Sequence, residues 1–259
     1  MKNFLLFLKD RNEVLYYFGL LCLVAAAISL ILTKVTTIQV LGTSAWNKPF
    51  KFLLSSAIFV WSMGWYLHYL GPSASVTWYS RGMIFLLTIE YLYILLQAAR
   101  GMTSHFNVTT SGNATWWGIM AFAAVSISLW TLVVSIPFFT RSFPELPPAY
   151  IWGIRMGLIV FVIFSLQGLS MGARMAHSVG GPDGTPGLPV VNWSKSLGDL
   201  RIAHFMGMHA LQVIPLLAFY LFRSATTAIL FGIAYGVLST ALWFQAMNGK
   251  SILTIFRFW

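Results

Sequence analysis

The sequence predicts an all-α fold: a polytopic integral membrane helical bundle with about seven transmembrane helices. Hydrophobic residues make up 58% of the 259 positions and charged residues only 8%, whereas soluble domains carry roughly 25% charged residues. Because lipid cannot satisfy bare backbone groups, such a chain must cross the bilayer as helices of about 20 residues. Tryptophan and tyrosine also cluster near the ends of the apolar runs, as at Trp78 and Trp116, which is typical of membrane interfaces.

The apolar runs follow one another along the chain and predict a single transmembrane domain over residues 1–259. They lie at 14–33, 52–70, 83–99, 116–138, 150–171, 200–222 and 225–246. The connections are short except for 173–199, where closely spaced glycine and proline exclude a helix or strand interior. Long ordered loops are often functional, and Trp193 favours a loop that folds back onto the bundle over a loose surface connector.

The formal net charge of +10 raises the question of nucleic-acid binding. Lysine and arginine instead occur singly at the ends of the apolar runs, where they contact lipid headgroups, so we expect membrane lipids as partners and no nucleic acid. Counted by side, these residues, Arg257 included, are in excess on the side that carries the C-terminus. The positive-inside rule therefore predicts a cytoplasmic C-terminus and an N-terminus outside.

Four of the five histidines fall on one membrane face when the runs alternate in direction. His105 and His177 follow the third and fifth runs, while His204 and His209 lie in the first turns of the sixth. Histidine is the commonest metal ligand and titrates near neutral pH, so this face predicts a metal or acid–base site. His209 is the leading candidate, because ionisable residues inside a membrane are rare and usually functional. The predicted metal ligands are His105, His204, His209 and Asp199.

The sequence leaves the cofactor open. A transition metal, which would be zinc, iron or copper, fits histidine and carboxylate ligands. His204 and His209 lie about 140° apart on a helix, so we expect them to contact different neighbours rather than to chelate one ion. Haem held by two histidines is a less favoured alternative, because it needs ligands at matching depth on two helices.

Basic and polar residues at the same face predict how a substrate binds. Arg100, Arg174 and Arg201 are expected to hold an anionic headgroup, because guanidinium binds phosphate or carboxylate through two parallel hydrogen bonds. Lys48, Gln97 and Asn107 belong to the same predicted substrate-binding set. The main hypothesis is therefore a membrane enzyme with a metal or acid–base site that acts on a lipophilic or lipid-like substrate, and a metal-dependent oxidoreductase or hydrolase is one form of it. Its predicted catalytic residues are His209, His204, His105, Asp199 and Glu90.

A second polar group is predicted inside the membrane. Glu90, Tyr93 and Gln97 recur every three or four residues and so share one face of the third helix. Arg155 in the fifth helix counts to a similar depth, which makes it a candidate ion-pair partner for Glu90. This group predicts the main alternative, a transporter or channel for a small polar or ionic solute that uses Glu90, Arg155 and Gln97.

Other residues bear on packing and assembly. Gly153 and Gly157 have the spacing that allows a close approach of two membrane helices, and Pro215 is expected to kink the sixth helix near His209. The single cysteine, Cys22, excludes an intrachain disulfide. A haem-bearing cytochrome, a small-molecule ligand and a homo-oligomer stay open as alternatives.

Overall fold

The computed structural model describes the backbone of residues 2–254 and the side chains from residue 4 onward; Arg257, used in the charge count, lies outside the described residues. Within residues 2–254, seven helices are long and apolar enough to cross a membrane, which confirms the all-α polytopic fold. The helices are α1 (Lys2–Arg11), α2 (Glu13–Val35), α3 (Asn47–Leu67), α4 (Ala74–Ala99), α5 (Ser111–Thr140), α6 (Pro148–Arg174), α7 (Leu200–Tyr220) and α8 (Ala225–Met247), and the strands are β1 (Gln39–Val40), β2 (Thr43–Ser44), β3 (Ser178–Val179) and β4 (Gly198–Asp199).

The chain divides into two compact units, Met1–Pro137 and Phe138–Trp259, called here the first and second units. The first contains α1 to α4 and nearly all of α5. The second contains the end of α5, then α6, α7, α8 and the loop between α6 and α7. The single domain expected from the sequence stays a prediction.

Helix boundaries differ from the apolar runs where polar caps extend a helix. α4 begins at Ala74, well before its apolar run, because the Ser73 hydroxyl accepts a hydrogen bond from the Val76 amide. α1 lies outside every predicted run, and Asn12 separates it from α2 by capping the Leu15 amide. Hydropathy finds the lipid-facing centre of a helix, whereas its first turn at the interface is polar.

In the first unit, neighbouring helices approach closely where a tryptophan ring of one helix packs against a glycine of the other. An added Cβ at Gly19 of α2 would overlap the Trp61 indole of α3, whose N–H donates to the Tyr16 carbonyl at 3.1 Å. Gly82 of α4 accommodates the Trp130 ring of α5 in the same way. The contact between Gly82 and Trp130 brings α4 and α5 together, and polar side chains of these two helices meet further along.

The second unit packs α6, α7 and α8 against one another. Gly153 and Gly157 face α7, and a Cβ at Gly157 would lie 3.0 Å from the Ala210 carbonyl oxygen, which confirms the predicted close approach. α8 packs on α6 where Gly232 leaves room for Met156. The three helices therefore surround one apolar core.

The loop between α6 and α7, residues 175–199, folds back onto the second unit. β3 and β4 pair antiparallel and hold the two ends of the loop together. The Trp193 ring lies 5.5 Å from that of Phe205 on α7, measured between centroids. Gly198 passes so close to α8 that a Cβ would overlap the Ala246 carbonyl. The loop thus covers the ends of the three helices where the sequence placed its candidate site.

Candidate functional site

The polar end of the second unit holds a histidine whose tautomer is fixed by its surroundings. The Nδ1 atom of His204 lies 2.7 Å from the backbone carbonyl oxygen of Phe164 on α6. Because a carbonyl oxygen only accepts, Nδ1 carries the proton, and the lone pair of the neutral ring lies on Nε2. Gly168 makes this contact possible, since a Cβ there would lie 3.0 Å from the ring. His204 is thereby oriented as a base or a metal ligand is.

A second histidine near His204 is held by a carboxylate. Nδ1 of His177 lies 2.8 Å from Oδ2 of Asp183, and the same carboxylate accepts the backbone amides of His177 and Ser178. Burial alone would raise the pKa of Asp183, but the hydrogen bonds and charge of His177 outweigh it and hold that pKa below its usual range. His177 and His204 are close enough to interact electrostatically.

His209, the leading candidate from the sequence, contacts a different set of neighbours. Its Nδ1 atom lies 3.2 Å from Oε1 of Gln212, and its ring lies 4.3 Å from that of Phe205. His204 instead faces α6. The two histidines therefore serve different neighbours, as their spacing predicts.

Asp199 and Arg201 bind each other and the loop. Nε and Nη2 of Arg201 donate to the two carboxylate oxygens of Asp199 at 2.9 and 2.6 Å, and Nη2 also donates to the Asn192 carbonyl. Asp199 also accepts the amides of Ser194 and Arg201, which caps α7. These contacts give both residues structural partners, and the ligand and headgroup roles expected from the sequence stay predictions. Arg174, in the last turn of α6, is exposed.

In the first unit, the polar stripe of α4 connects to α5 through buried amides. Nε2 of Gln97 donates to the Tyr93 hydroxyl at 2.7 Å and to Oδ1 of Asn113 at 3.0 Å. Asn113 donates in turn to the Thr109 hydroxyl. Among the described residues, the Oε1 atoms of Glu90 and Gln97 are buried without a hydrogen-bond partner. α4 therefore carries two unsatisfied carboxyl or amide oxygens within its span, which is uncommon for buried polar groups.

Aromatic side chains surround the remaining candidates near this stripe. The His105 ring packs 5.7 Å from Phe52 and 5.2 Å from Trp117 between centroids. Lys48 places its ammonium group 5.6 Å from the Phe52 ring and interacts electrostatically with Glu90. His105 is thus part of an aromatic cluster, and Lys48 is the cation that acts on the buried carboxyl group.

Three further candidates have local roles or exposed positions. Asn107 orders its loop by donating to the Thr103 carbonyl at 2.9 Å. Arg100 ends α4 and is exposed. In the second unit, Nε of Arg155 donates to the Phe138 carbonyl at 2.7 Å. The predicted pairing of Arg155 with Glu90 joins residues of different units and stays a prediction.

Asp183 and Asn113 are site residues that the sequence did not predict. Asp183 lies in a glycine- and proline-rich segment, where an aspartate is usually a turn residue, so only its short distance along the chain from His177 pointed to a pair. Asn113 precedes the fourth apolar run, and nothing in its position showed that Gln97 would reach it. Both depend on how loops fold, which periodicity does not describe.

Within residues 2–254 there is no group of three or more His, Cys, Asp or Glu side chains that could hold a metal ion. In the second unit, His204, His209 and Asp199 are accordingly not gathered into one ligand set. The best-defined arrangement is instead the pair of histidines whose Nδ1 protons are committed, to a carbonyl at His204 and to a carboxylate at His177. Compared with known families, curated proteins and solved structures, the chain matches none of them.

Proposed function

We propose that this integral membrane protein is an enzyme that carries out acid–base chemistry at the end of the second unit formed by α6, α7 and the loop between them. Its substrate is lipophilic or lipid-like. The observation that carries this proposal is the hydrogen bond from Nδ1 of His204 to the Phe164 carbonyl. A general base needs a fixed tautomer and orientation, and this bond supplies both.

Two histidines divide the proposed chemistry. Nε2 of His204 takes up a proton from the reacting group. The carboxylate of Asp183 holds the His177 ring and stabilises it when it is protonated, as an aspartate does for a catalytic histidine. The exposed Arg174 is available for an anionic headgroup.

A transition metal stays a proposed cofactor, with Nε2 of His204 as its first ligand. Elemental analysis of the purified protein tests this version: stoichiometric metal that is lost in His204→Gln would make the reaction metal-dependent. An absorption spectrum tests the haem alternative, because a Soret band would identify a cytochrome. If neither bound metal nor a Soret band is found, the proposal is acid–base catalysis by the histidines without a cofactor.

Lipid conversion in nanodiscs tests the proposed enzyme. Wild type, His204→Gln and His68→Gln are incubated in nanodiscs made from a natural lipid extract, and the lipids are compared by mass spectrometry. We expect wild type and His68→Gln to convert a lipid, while His204→Gln loses about 10²-fold to 10⁴-fold in rate, the contribution of one general acid or base. His68 is the matched control because it is an exposed histidine outside the candidate site. Equal rates for wild type and His204→Gln would contradict the proposal.

The unsatisfied oxygens of Glu90 and Gln97 favour a second candidate function, the passage of a small polar or ionic solute along α4. Glu90→Gln should then abolish solute or proton flux into liposomes. Glu145→Gln is the control, because Glu145 is an exposed carboxylate outside the spanning helices. Equal flux through the two variants would remove this candidate.

We also infer that the polar end of the second unit faces the cytoplasm, from the excess of lysine and arginine on that side. A cysteine at Lys195 tests this orientation cleanly, since Lys195 is exposed and the single native cysteine, Cys22, is buried. A membrane-impermeant maleimide should label Lys195→Cys in spheroplasts only after permeabilisation. Labelling of intact spheroplasts would reverse the assignment.

A further inference from the structure

An apolar groove runs between α6 and α8 on the surface of the second unit. Its volume of about 480 Å³ lies within the range of about 300–1,000 Å³ that is typical of ligand pockets. Gly236 keeps its floor open, because a Cβ there would meet only a Val160 methyl group, at 3.5 Å. The residues that define the groove are Val160 and Phe164 on α6 and Gly236, Val237, Thr240 and Phe244 on α8.

The walls and rim of the groove are suited to hydrocarbon. Ile163, Val237 and Phe244 are 57%, 62% and 56% exposed, and exposed apolar side chains on spanning helices contact lipid. The hydroxyl of Thr240, a polar residue in the wall, donates its hydrogen to the Gly236 carbonyl at 2.8 Å and so does not offer it to a ligand. The groove is therefore continuous with the lipid-facing surface and offers a polar solute little to bind.

The length of the groove matches one leaflet. It is lined on α8 from residue 233 to residue 244, a rise of about 16 Å at about 1.5 Å per residue. The hydrocarbon core of a bilayer is about 30 Å thick, so the groove covers about half of it. One extended chain from a single leaflet fits this depth.

One end of the groove approaches the proposed catalytic histidine. Phe164 is among the residues that line the groove; its ring packs against Gly207 of α7, and its carbonyl holds His204. Gln167 follows about one turn later on α6, and Trp243 packs against the same core as Phe164. Among the described residues, Oε1 of Gln167 and Nε1 of Trp243 are buried without hydrogen-bond partners. Neither residue lines the groove itself, but each lies within three residues of one that does, Gln167 after Phe164 and Trp243 before Phe244.

We propose that the groove binds the single long hydrocarbon chain of a lipid from one leaflet and sets the headgroup of that lipid beside His204. The chain fills the space above Gly236, and the polar group lies toward Gln167. The identification of this lipid as the substrate rests on the acid–base function proposed above. Chain binding itself is measured independently of any reaction.

Photolabelling in nanodiscs tests the groove. The probe is a palmitic acid analogue with a diazirine on its chain, and peptide mass spectrometry locates the labelled residues. Wild type should be labelled on the groove-lining segments of α6 and α8, and excess palmitate should compete. Gly236→Leu should lower this labelling about tenfold, the loss expected when about two methylenes are excluded from an apolar site.

Gly118→Leu is the matched control. Gly118 also lies on a spanning helix and its added Cβ meets nothing within 4 Å, so this variant enlarges a lipid-facing residue away from the groove and should leave labelling unchanged. Ala241→Leu narrows the groove from another wall position and serves if Gly236→Leu does not fold. Wild-type labelling in the folded groove variants would overturn the proposal, and so would an equal loss in Gly118→Leu.

His204→Gln separates the two proposals. Normal labelling with lost lipid conversion in this variant supports both. Normal conversion in Gly236→Leu despite lost labelling would overturn the groove as the substrate site and leave the acid–base function standing. Groove-specific labelling without conversion by wild type would support chain binding and count against the proposed enzyme.

Discussion

The two units of the chain hold buried carboxyl groups in opposite ways. In the second unit, Asp199 is 1% exposed, and both of its oxygens are bonded by Arg201 and by backbone amides. In the first unit, Glu90 is 8% exposed on a spanning helix, and its Oε1 atom has no partner among the described residues. A bonded carboxylate stabilises its surroundings, whereas an unbonded one costs free energy. Asp199 is therefore a structural carboxyl group, whereas Glu90 costs free energy where it lies, and this cost is the basis of the transport role proposed for it.

The same distinction applies to the polar end of the second unit. Asp199 and Arg201 satisfy each other and fix the loop, so their charges are used within the fold. His204 commits Nδ1 to the Phe164 carbonyl, and the neutral ring keeps its basic lone pair on Nε2. We therefore expect His204, rather than the ion pair of Asp199 and Arg201, to be the functional group of this unit.

The largest expected effect on stability is that of Asp199→Ala. Removing one partner of a buried ion pair costs about 3–5 kcal/mol, and we expect about 3 kcal/mol here because the Arg201 side chain is 29% exposed. The change also removes the cap of α7. Thermal unfolding in detergent and limited proteolysis of the loop measure the loss. Glu145→Ala is the exposed control, and equal unfolding temperatures for the two variants would contradict a structural role for Asp199.

A smaller and pH-dependent effect is expected at Asp183. Its pKa is depressed in the folded protein, so the stability that it contributes is present above the ordinary value of 3.8 and is lost as the pH falls through the folded pKa. Asp183→Asn should cost about 1–2 kcal/mol at neutral pH, because amides and a histidine lose a charged acceptor. The acid-induced loosening of the loop should also become weaker in this variant, as measured by proteolysis from pH 6 downward. An unchanged acid profile would contradict the assignment.

At Glu90 we expect a substitution to increase stability rather than to reduce it. Glu90→Leu removes a buried carboxyl group with an unsatisfied oxygen, so it should raise the free energy of unfolding by about 1 kcal/mol. Thermal unfolding of this variant beside Glu145→Leu measures the change. A loss of several kcal/mol would mean that Glu90 has structural partners after all, and the contrast between the two units would then fail.

Much of the fold follows from the sequence, because long apolar segments in a chain with few charges are stable in lipid only when the backbone bonds to itself, as it does in a spanning helix. The spacing of Gly153 and Gly157 alone also predicted a helix contact. Contacts made by the long loop did not follow, since Asp183 and Asp199 acquire their roles only when the loop folds back. The sequence favoured His209 over His204 because depth in the membrane was the only available criterion. The Phe164 carbonyl that orients His204 is a backbone group, so the identity of residue 164 does not predict it.

The tautomer of His204 tests the proposed function most directly. Histidine labelled with ¹⁵N in nanodiscs gives separate nitrogen signals for the two tautomers, and His204→Gln identifies which signals belong to this residue. At a pH where the ring is neutral, we predict a protonated Nδ1 and a bare Nε2. A protonated Nε2 with a bare Nδ1 would contradict the hydrogen bond to Phe164 and, with it, the assignment of His204 as the base.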